Sequence, residues 1–586
     1  MRSGFLASAL ALGIASAFAT SANAEIKPVD RGALAFEMPS PAQLDDGGRQ
    51  VFAHYFTPYP ISIDNEPSDE DYYATEYLDP SGEDGRWEEQ GGQLRQRPLP
   101  RPVSTSASWD LEDMETEVRR AIFAGIDGFT VDIVGLEGFH WHRVELLIEA
   151  AAAVDPDFEI VLMPDAYTGV TDDPDALADA LASVADEPAV HHLDDGRLVV
   201  APFLAEGVGA AYWQDWMALM ADRGIEVALV PVLLDYPSNV AAFADFSAGI
   251  SVWGARSPAS VSSLAELGSD ARDRGLLWMQ PVAVQDVRPK TSVFDEANNT
   301  ELLRDMWSAA EDSSAEWVQL VTWNDYSESS EFAPSTNTGW SILDINAYYI
   351  AAFKTGRAPD ITSDRVYVSH RVQPVGARPT GGQTSLMSLR AGSSPPRDRV
   401  EVLTFLRDGA DVTVSVGATT HTYAAPAGVH AAHFPLATGT VEVVATAPDG
   451  TVSAVRSPSE ITDAPVVQDL QYRFAGSARE GPEGIPPVQQ AADQQAGATT
   501  TIAPSDEAPT ASSGASLTST GAVAEVDGST GRSTRGDPTM IVVGGVTLAV
   551  VVIILFLLRR TRARSGDPLS TPPVEHERER ELRGGR

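Results

Sequence analysis

The chain has 586 residues, with 41 Lys and Arg against 83 Asp and Glu, a formal charge of −42 and no cysteine. Its apolar content of 43% suffices for a packed core, at a length that allows one enzyme-sized domain and a smaller companion. The missing cysteines exclude disulfides, thiolate metal sites, iron–sulfur clusters and a cysteine nucleophile. The acid excess argues against a nucleic-acid partner, whose phosphates require Lys and Arg.

At the start, Arg2 precedes an apolar run over 5–18 that ends at Ala22-Asn23-Ala24. A charged start, a short apolar stretch and small residues predict a secretory signal peptide over 1–24, with the mature chain beginning at Glu25.

Short apolar strands alternating with helical patterns follow. Strands are expected at 51–56, 128–133, 159–163, 198–203, 227–233, 249–253, 276–281 and 317–323, and helices at 111–124, 141–153, 174–185, 213–223 and 261–274. Eight strands with crossover segments predict an α/β fold, a (β/α)8 TIM barrel forming a catalytic domain over 25–360. Active sites of such barrels form at the C-terminal strand ends. Those ends hold His54, Asp132, Asp165, Glu206, Asp235, Trp253, Gln280 and Trp323-Asn324-Asp325. Any single Asp or Asn there can cap a helix. A ring of acids, amides and aromatics instead suits a polyol, whose hydroxyls need donors and acceptors and whose ring faces need flat apolar surfaces. The insert over 57–109 carries Tyr59, Tyr72, Tyr73, Tyr77 and Trp87. It either walls a cleft or forms an aromatic mini-core of its own.

Over 365–475 the pattern becomes strand-like, at 366–368, 400–406, 412–416, 421–423 and 441–446, with turns at Asp408-Gly409 and Asp449-Gly450. This predicts a small β-sandwich domain with a packing or spacer role. The stretch 477–538 is Gly-, Ala-, Ser-, Thr- and Pro-rich and lacks aromatics, as expected of a flexible, disordered stalk acting as a linker. Residues 540–558 are uncharged and precede Arg559, Arg560, Arg562 and Arg564, which predicts a single transmembrane helix and a basic cytoplasmic tail over 559–586. The protein is thus expected at the cell membrane, single-pass, with an extracellular N-terminal part. That arrangement assigns a net −46 to the ectodomain and span and +3 to the tail.

The chemistry concentrates in Val321-Thr322-Trp323-Asn324-Asp325-Tyr326-Ser327-Glu328-Ser329-Ser330, just past strand eight. Glycoside hydrolysis needs two carboxyl groups, one to protonate the leaving oxygen and one to activate water or attack carbon. Asp325 and Glu328 supply such a pair, although the same spacing also suits a helix capping box. Two nearby carboxylates push their pKa values apart, which supplies one protonated and one ionised partner. The pairs His140/His142 and His191-His192 lack the third ligand and carboxylate context of a zinc site, and no G-x-S-x-G nucleophile elbow occurs.

This block resembles the Trp-Asn-Asp-Tyr-Gly-Glu-Ser signature of glycoside hydrolase family 71, the α-1,3-glucanases or mutanases. Val51-Phe52-Ala53-His54-Tyr55 and Gly125-Ile126-Asp127-Gly128-Phe129 look like that family's first and second strands, so the resemblance spans about 50–360. It implies a membrane-anchored bacterial member that cleaves α-1,3-glucan internally with inversion. In that reading Asp325 and Glu328 match the catalytic acid and base positions, with no metal and no organic cofactor. Substrate-binding positions are then His54, Asp132, Asp165, Asp235, Trp253, Trp323, Asn324 and Tyr326, with Trp323, Tyr326 and His54 positioning the sugar and Asp132, Asp127 and Asp165 open as a supporting carboxylate. Ser327 stands where the family has Gly, Ser330 where His is common, and Asp132 where Asn is expected. Two other readings compete: a non-catalytic polysaccharide-binding surface protein, and a hydrolase of another glycan linkage.

Overall fold

A computed structural model describes residues 31–478 of the chain. The expected signal peptide, nearly all of the linker, the membrane span and the tail lie outside the described residues. Among the described residues no helix is long and apolar enough to cross a membrane.

All eight expected strands are present and run parallel: β1 (Gln50–Phe56), β2 (Gly128–Ile133), β3 (Glu159–Pro164), β4 (Leu198–Val200), β5 (Val227–Leu229 and Val232–Leu233), β6 (Gly249–Val252), β7 (Leu277–Val282) and β8 (Trp317–Leu320). A helix follows each, from Trp109–Ala124 after β1 to Ser341–Thr355 after β8. Pairing runs β5-β4-β3-β2-β1-β8-β7-β6-β5, so both ends of the ladder fall on the two halves of β5. Pro231, which has no N–H, interrupts that strand. Its carbonyl still accepts from Ser251 N at 2.9 Å, while Val230 N donates to Val200 O at 2.9 Å on the other side. The sheet is therefore curled and barrel-like.

The strand alternation decides which residues point where. In β1, Val51, Ala53 and Tyr55 pack in the layer between sheet and helices, and in β2 so do Phe129, Val131 and Ile133. Phe52, Val161, Met163, Ala228, Val230, Met279 and Trp317 form a separate apolar cluster that plugs the interior. Above it the interior turns polar, with Gln319 Nε2 donating to Thr130 Oγ1 at 2.8 Å. His54 and Asp132 follow on this inward face, with His54 opposite Thr130 and Phe56 opposite Asp132 in register.

Two four-stranded antiparallel sheets follow the sheet-and-helix unit. One contains Arg365–Arg371, Arg399–Leu406, Gly428–Pro435 and Tyr472–Gly476, and the other Ala410–Val416, Thr419–Ala425, Val441–Thr446 and Val452–Arg456. Their inner faces share a core of Val366, Val402, Val412, Val414, Phe434 and Val443. This sandwich is joined to the barrel-like unit by buried charge. Arg371 Nη2 meets Glu296 Oε2 at 2.9 Å, Tyr472 OH donates to Glu296 Oε1 at 2.6 Å, and the Arg371 guanidinium lies 4.2 Å from the centre of the Tyr472 ring. The excursion between the first two strands of the sandwich, over 372–398, reaches back: its Ser388–Leu389 pairs with Val293–Phe294 of a short hairpin beyond β7.

Removing one partner of a buried ion pair leaves an uncompensated charge, which costs about 3–5 kcal/mol. Arg371→Ala is therefore expected to destabilise the chain by about that amount in chemical denaturation, whereas Arg357→Ala, on an exposed pair with Asp360 at 4.0 Å, leaves the midpoint unchanged.

Candidate active site

Beyond β8 the chain folds into a loop that closes on itself, with Phe332 N bonding Thr322 O at 2.9 Å and Ser330 N bonding Asp325 O at 3.3 Å. No helix begins until Ser341, so Asp325 and Glu328 do not form a capping box. Asp325 Oδ1 instead accepts Ser327 N at 2.9 Å, Ser327 Oγ at 2.7 Å and Glu328 N at 3.2 Å. Its own N–H donates to Thr322 Oγ1 at 2.8 Å. The carboxyl group is thereby locked by its loop while staying 7% exposed.

Glu328 sits in a charged clamp. Arg288 Nη1 lies 2.5 Å from Glu328 Oε1, while the same guanidinium bonds Asp286, with Nε 2.6 Å from Oδ1 and Nη2 on Oδ2. Asp286 is fully buried and also meets Arg256 Nε at 3.3 Å. Burial pushes Glu328 up to about 7, against the pull of Arg288, and the Asp325 and Asp286 charges add to the rise. For Asp286 burial acts upward too, but Arg288, Arg256 and Arg390 outweigh it and hold it below the ordinary carboxylate value.

A second group lies at the ends of β1 to β3. Burial holds Asp132 well above the usual carboxylate range, with the Asp325 charge adding to it, and raises Asp165 to about 7 with help from Asp132. Burial lowers His54 to about 4 despite Asp325 and Asp165. His54 Nε2 is 3.7 Å from Asp132 Oδ2, an ion-pair distance. Burial thus acts against charge on both partners of this contact. Asp132 Oδ1 has no hydrogen-bond partner among the described residues. The His54 ring packs edge-on against Trp253 at 4.8 Å, and Trp253 meets Phe203 at 4.7 Å and the Arg256 guanidinium at 5.5 Å. His54, Asp132, Asp165, Trp253, Asp325 and Glu328 are thus brought to one end of the sheet.

Other expected positions serve structure. Trp323 is fully buried in the sheet–helix layer, 5.1 Å from Phe129, with its indole N–H donating to Glu117 at 3.1 Å. It offers no face to a sugar, which corrects the expectation. Asn324 is also fully buried. Its amide accepts Phe56 N at 2.7 Å and donates to Tyr59 O at 2.8 Å, pinning the long insert. Tyr326 is buried with Tyr59, Tyr73 and Leu94. The insert is therefore an aromatic mini-core that grips the loop beyond β8. Asp235 is exposed at the start of Tyr236–Phe243, where its side chain accepts Ser238 N at 3.4 Å. Glu206 accepts the N–H groups of Leu234 and Asp235, and Gln280 bonds Trp278 Nε1 at 2.8 Å. Asp127 lies before β2, at the opposite end of the sheet, bound to Lys354 and to Val51 N. It is no supporting carboxylate for Asp325.

Arg288, Asp286, Arg256 and the fully buried Glu331 were missed in the sequence. None stands at a strand end or belongs to a spaced motif. The only available signal was the cluster Gln285-Asp286-Val287-Arg288 just beyond β7.

The family model "Glycosyl hydrolase family 71" matches residues 102–475. The chain is 25% identical to glucan endo-1,3-alpha-glucosidase agn1 of Schizosaccharomyces pombe over 388 residues, 62% of this chain and 89% of that protein. It is 24% identical to a mutanase of Penicillium rubens over 343 residues, 54% of this chain and 73% of that protein. A structure of the family 99 endo-alpha-mannosidase of Bacteroides thetaiotaomicron aligns over 53% of this chain and 98% of its own, at 16% identity and a TM-score of 0.40.

Three fully or mostly buried carboxyls hold protons that an unfolded chain would release: burial raises Glu117 and Asp165 to about 7 and Glu331 to about 8. Since the native state keeps these protons above the ordinary carboxylate range and the unfolded state does not, stability falls as pH rises from about 4 to about 8, by up to ~1.4 kcal/mol per pH unit for each group within its window. Because His54, lowered to about 4, opposes this fall below about pH 6.5, the thermal midpoint is expected to drop from about pH 6.5 to about pH 8, and Glu331→Gln to flatten the part of that drop above about pH 7.

Proposed function

The chain belongs to glycosyl hydrolase family 71 and is a glycoside hydrolase, and from that membership we propose that it cleaves α-1,3-glucan with Asp325 and Glu328 as the reacting carboxyls. The observation that carries this reading is their unequal setting on one loop. Asp325 has three donors on a single oxygen, whereas Glu328 is pushed up to about 7 in a partly buried clamp of charges. Two carboxyls in unequal surroundings are what separate acid and base roles require.

In the proposed reaction Glu328 gives its proton to the glycosidic oxygen as the bond from that oxygen to the anomeric carbon breaks. Asp325 takes a proton from the water whose oxygen bonds that carbon, which inverts the configuration. Asp132, held above the usual carboxylate range by burial and with Oδ1 unpartnered among the described residues, is suited to hydrogen-bond a sugar hydroxyl. Trp253 contributes an aromatic surface beside it. A neutral glucan also meets no repulsion from a chain of net −42. The curled sheet is read as a (β/α)8 barrel with its working end at the C-termini of the strands. The names of the two relatives support the linkage, since both are glucanases or mutanases. The signal-like start and the apolar stretch 540–558 with its trailing arginines support an extracellular, membrane-tethered enzyme.

Incubating the full chain with a panel of polysaccharides and measuring released reducing sugar tests the reading. Release from α-1,3-glucan is expected, with activity reduced by about 10³-fold or more in both Asp325→Asn and Glu328→Gln. Release only from another polymer would move the linkage. Binding without release, or full activity in both variants, would contradict the assignment.

A further inference from the structure

The clamp on Glu328 does not end within the barrel-like unit. Asp286, which shares Arg288 with Glu328, is also approached by Arg390 Nη2 at 3.7 Å. Arg390 belongs to the excursion 372–398 of the sandwich, and its Nε bonds Asp295 Oδ2 at 2.5 Å. Backbone pairing holds this excursion in place: Arg390 N donates to Phe294 O at 2.9 Å, Ser388 N to Ser292 O at 3.0 Å, and Ser292 and Ser385 share a hydroxyl contact at 2.6 Å. A continuous line of charged contacts thus runs from the second sheet unit through Arg390, Asp286 and Arg288 to Glu328.

Resting on the assignment of Asp325 and Glu328 as the reacting pair, we propose that Arg390 is a positioning residue for the reaction, which completes the cations around Asp286 and so fixes how Arg288 divides its hydrogen bonds between Asp286 and Glu328. The sandwich then does more than pack or space. It supplies a charge that the active site uses.

The physical reason lies in the balance around Asp286, which is fully buried among three arginines, Arg256, Arg288 and Arg390, with Asp295 the further acid beside it. Glu328 in turn faces Arg288 and Lys290 from the hairpin, Arg256 from the segment after β6, and the acids Asp286 and Asp325. If Arg390 loses its charge, Asp286 is less compensated, draws Arg288 more strongly and leaves Glu328 beside a more negative centre. The Glu328 proton is then held more tightly. An ion separated from it by two side chains in a partly screened site moves a titration by about half a unit.

The experiment compares the wild-type full chain with Arg390→Gln and Arg390→Lys by two readouts. One is the basic limb of kcat/KM against pH on α-1,3-glucan. The other is the ¹³C titration of the Glu328 carboxyl, assigned by its loss in Glu328→Gln, which needs no turnover. Arg390→Gln is expected to move both upward by about half a unit, and Arg390→Lys, which keeps the charge, to restore most of the wild-type value. An unshifted carboxyl titration in Arg390→Gln, or an equal shift in both variants, overturns the proposal. A shifted titration in a chain that releases no sugar from any glucan upholds the coupling and instead overturns the assignment of a glucan as substrate.

Discussion

Arg288 stands between two carboxylates in a largely buried place, bonding Asp286 through one edge and Glu328 through another. The site depends on this arrangement because carboxyl groups crowd one end of the sheet, and burial alone would drive all of them to the neutral state. A fixed, permanently charged guanidinium breaks that degeneracy. It lets Asp286 remain ionised while Glu328 stays near the point where it can hold or release a proton. Lysine could not replace it, since only a planar fork bonds two carboxylates along two edges at once.

The remaining architecture places this clamp beside Asp325, whose charge acts on both Arg288 and Glu328. Three residues flanking Asp325 turn away from the mouth and tie its loop to the sheet–helix layer and to the long insert. Trp323 enters the sheet–helix layer, Asn324 holds the backbone of the long insert, and Tyr326 joins that insert's aromatic cluster. Such supports are what keep reacting groups in register, because a site loose by an ångström loses much of its rate. His54 and Asp132 line the ends of β1 and β2, where burial disfavours the charged form of each.

Much of this was legible in the sequence. The eight strands fall where apolar runs place them, because each is buried on both faces and reads as continuous hydrophobicity. Asp325 and Glu328 lie three residues apart in one loop, so the sequence alone places them together, and the family resemblance singled them out. The failures have a shared cause. Position near a strand end does not reveal which way a side chain turns: Trp323 and Gln280 point outward, while Asp235 caps a helix. The eight-residue strand Gly428–Pro435 was missed because Ala and His fill its middle and give it no clear apolar alternation. The Arg390–Asp286 contact joins positions 104 residues apart in different structural units, and no local pattern marks such a meeting.

The central claim, that a glucan chain is cleaved between Asp325 and Glu328, is tested most directly by a crystal structure of Glu328→Gln with an α-1,3-linked glucose oligosaccharide. The account predicts a glycosidic oxygen within hydrogen-bond distance of the residue 328 amide, with a water held by Asp325 on the opposite face of the anomeric carbon. An oligosaccharide bound with neither residue at the linkage, or away from the ends of β1 to β3 and the loop beyond β8, would contradict it.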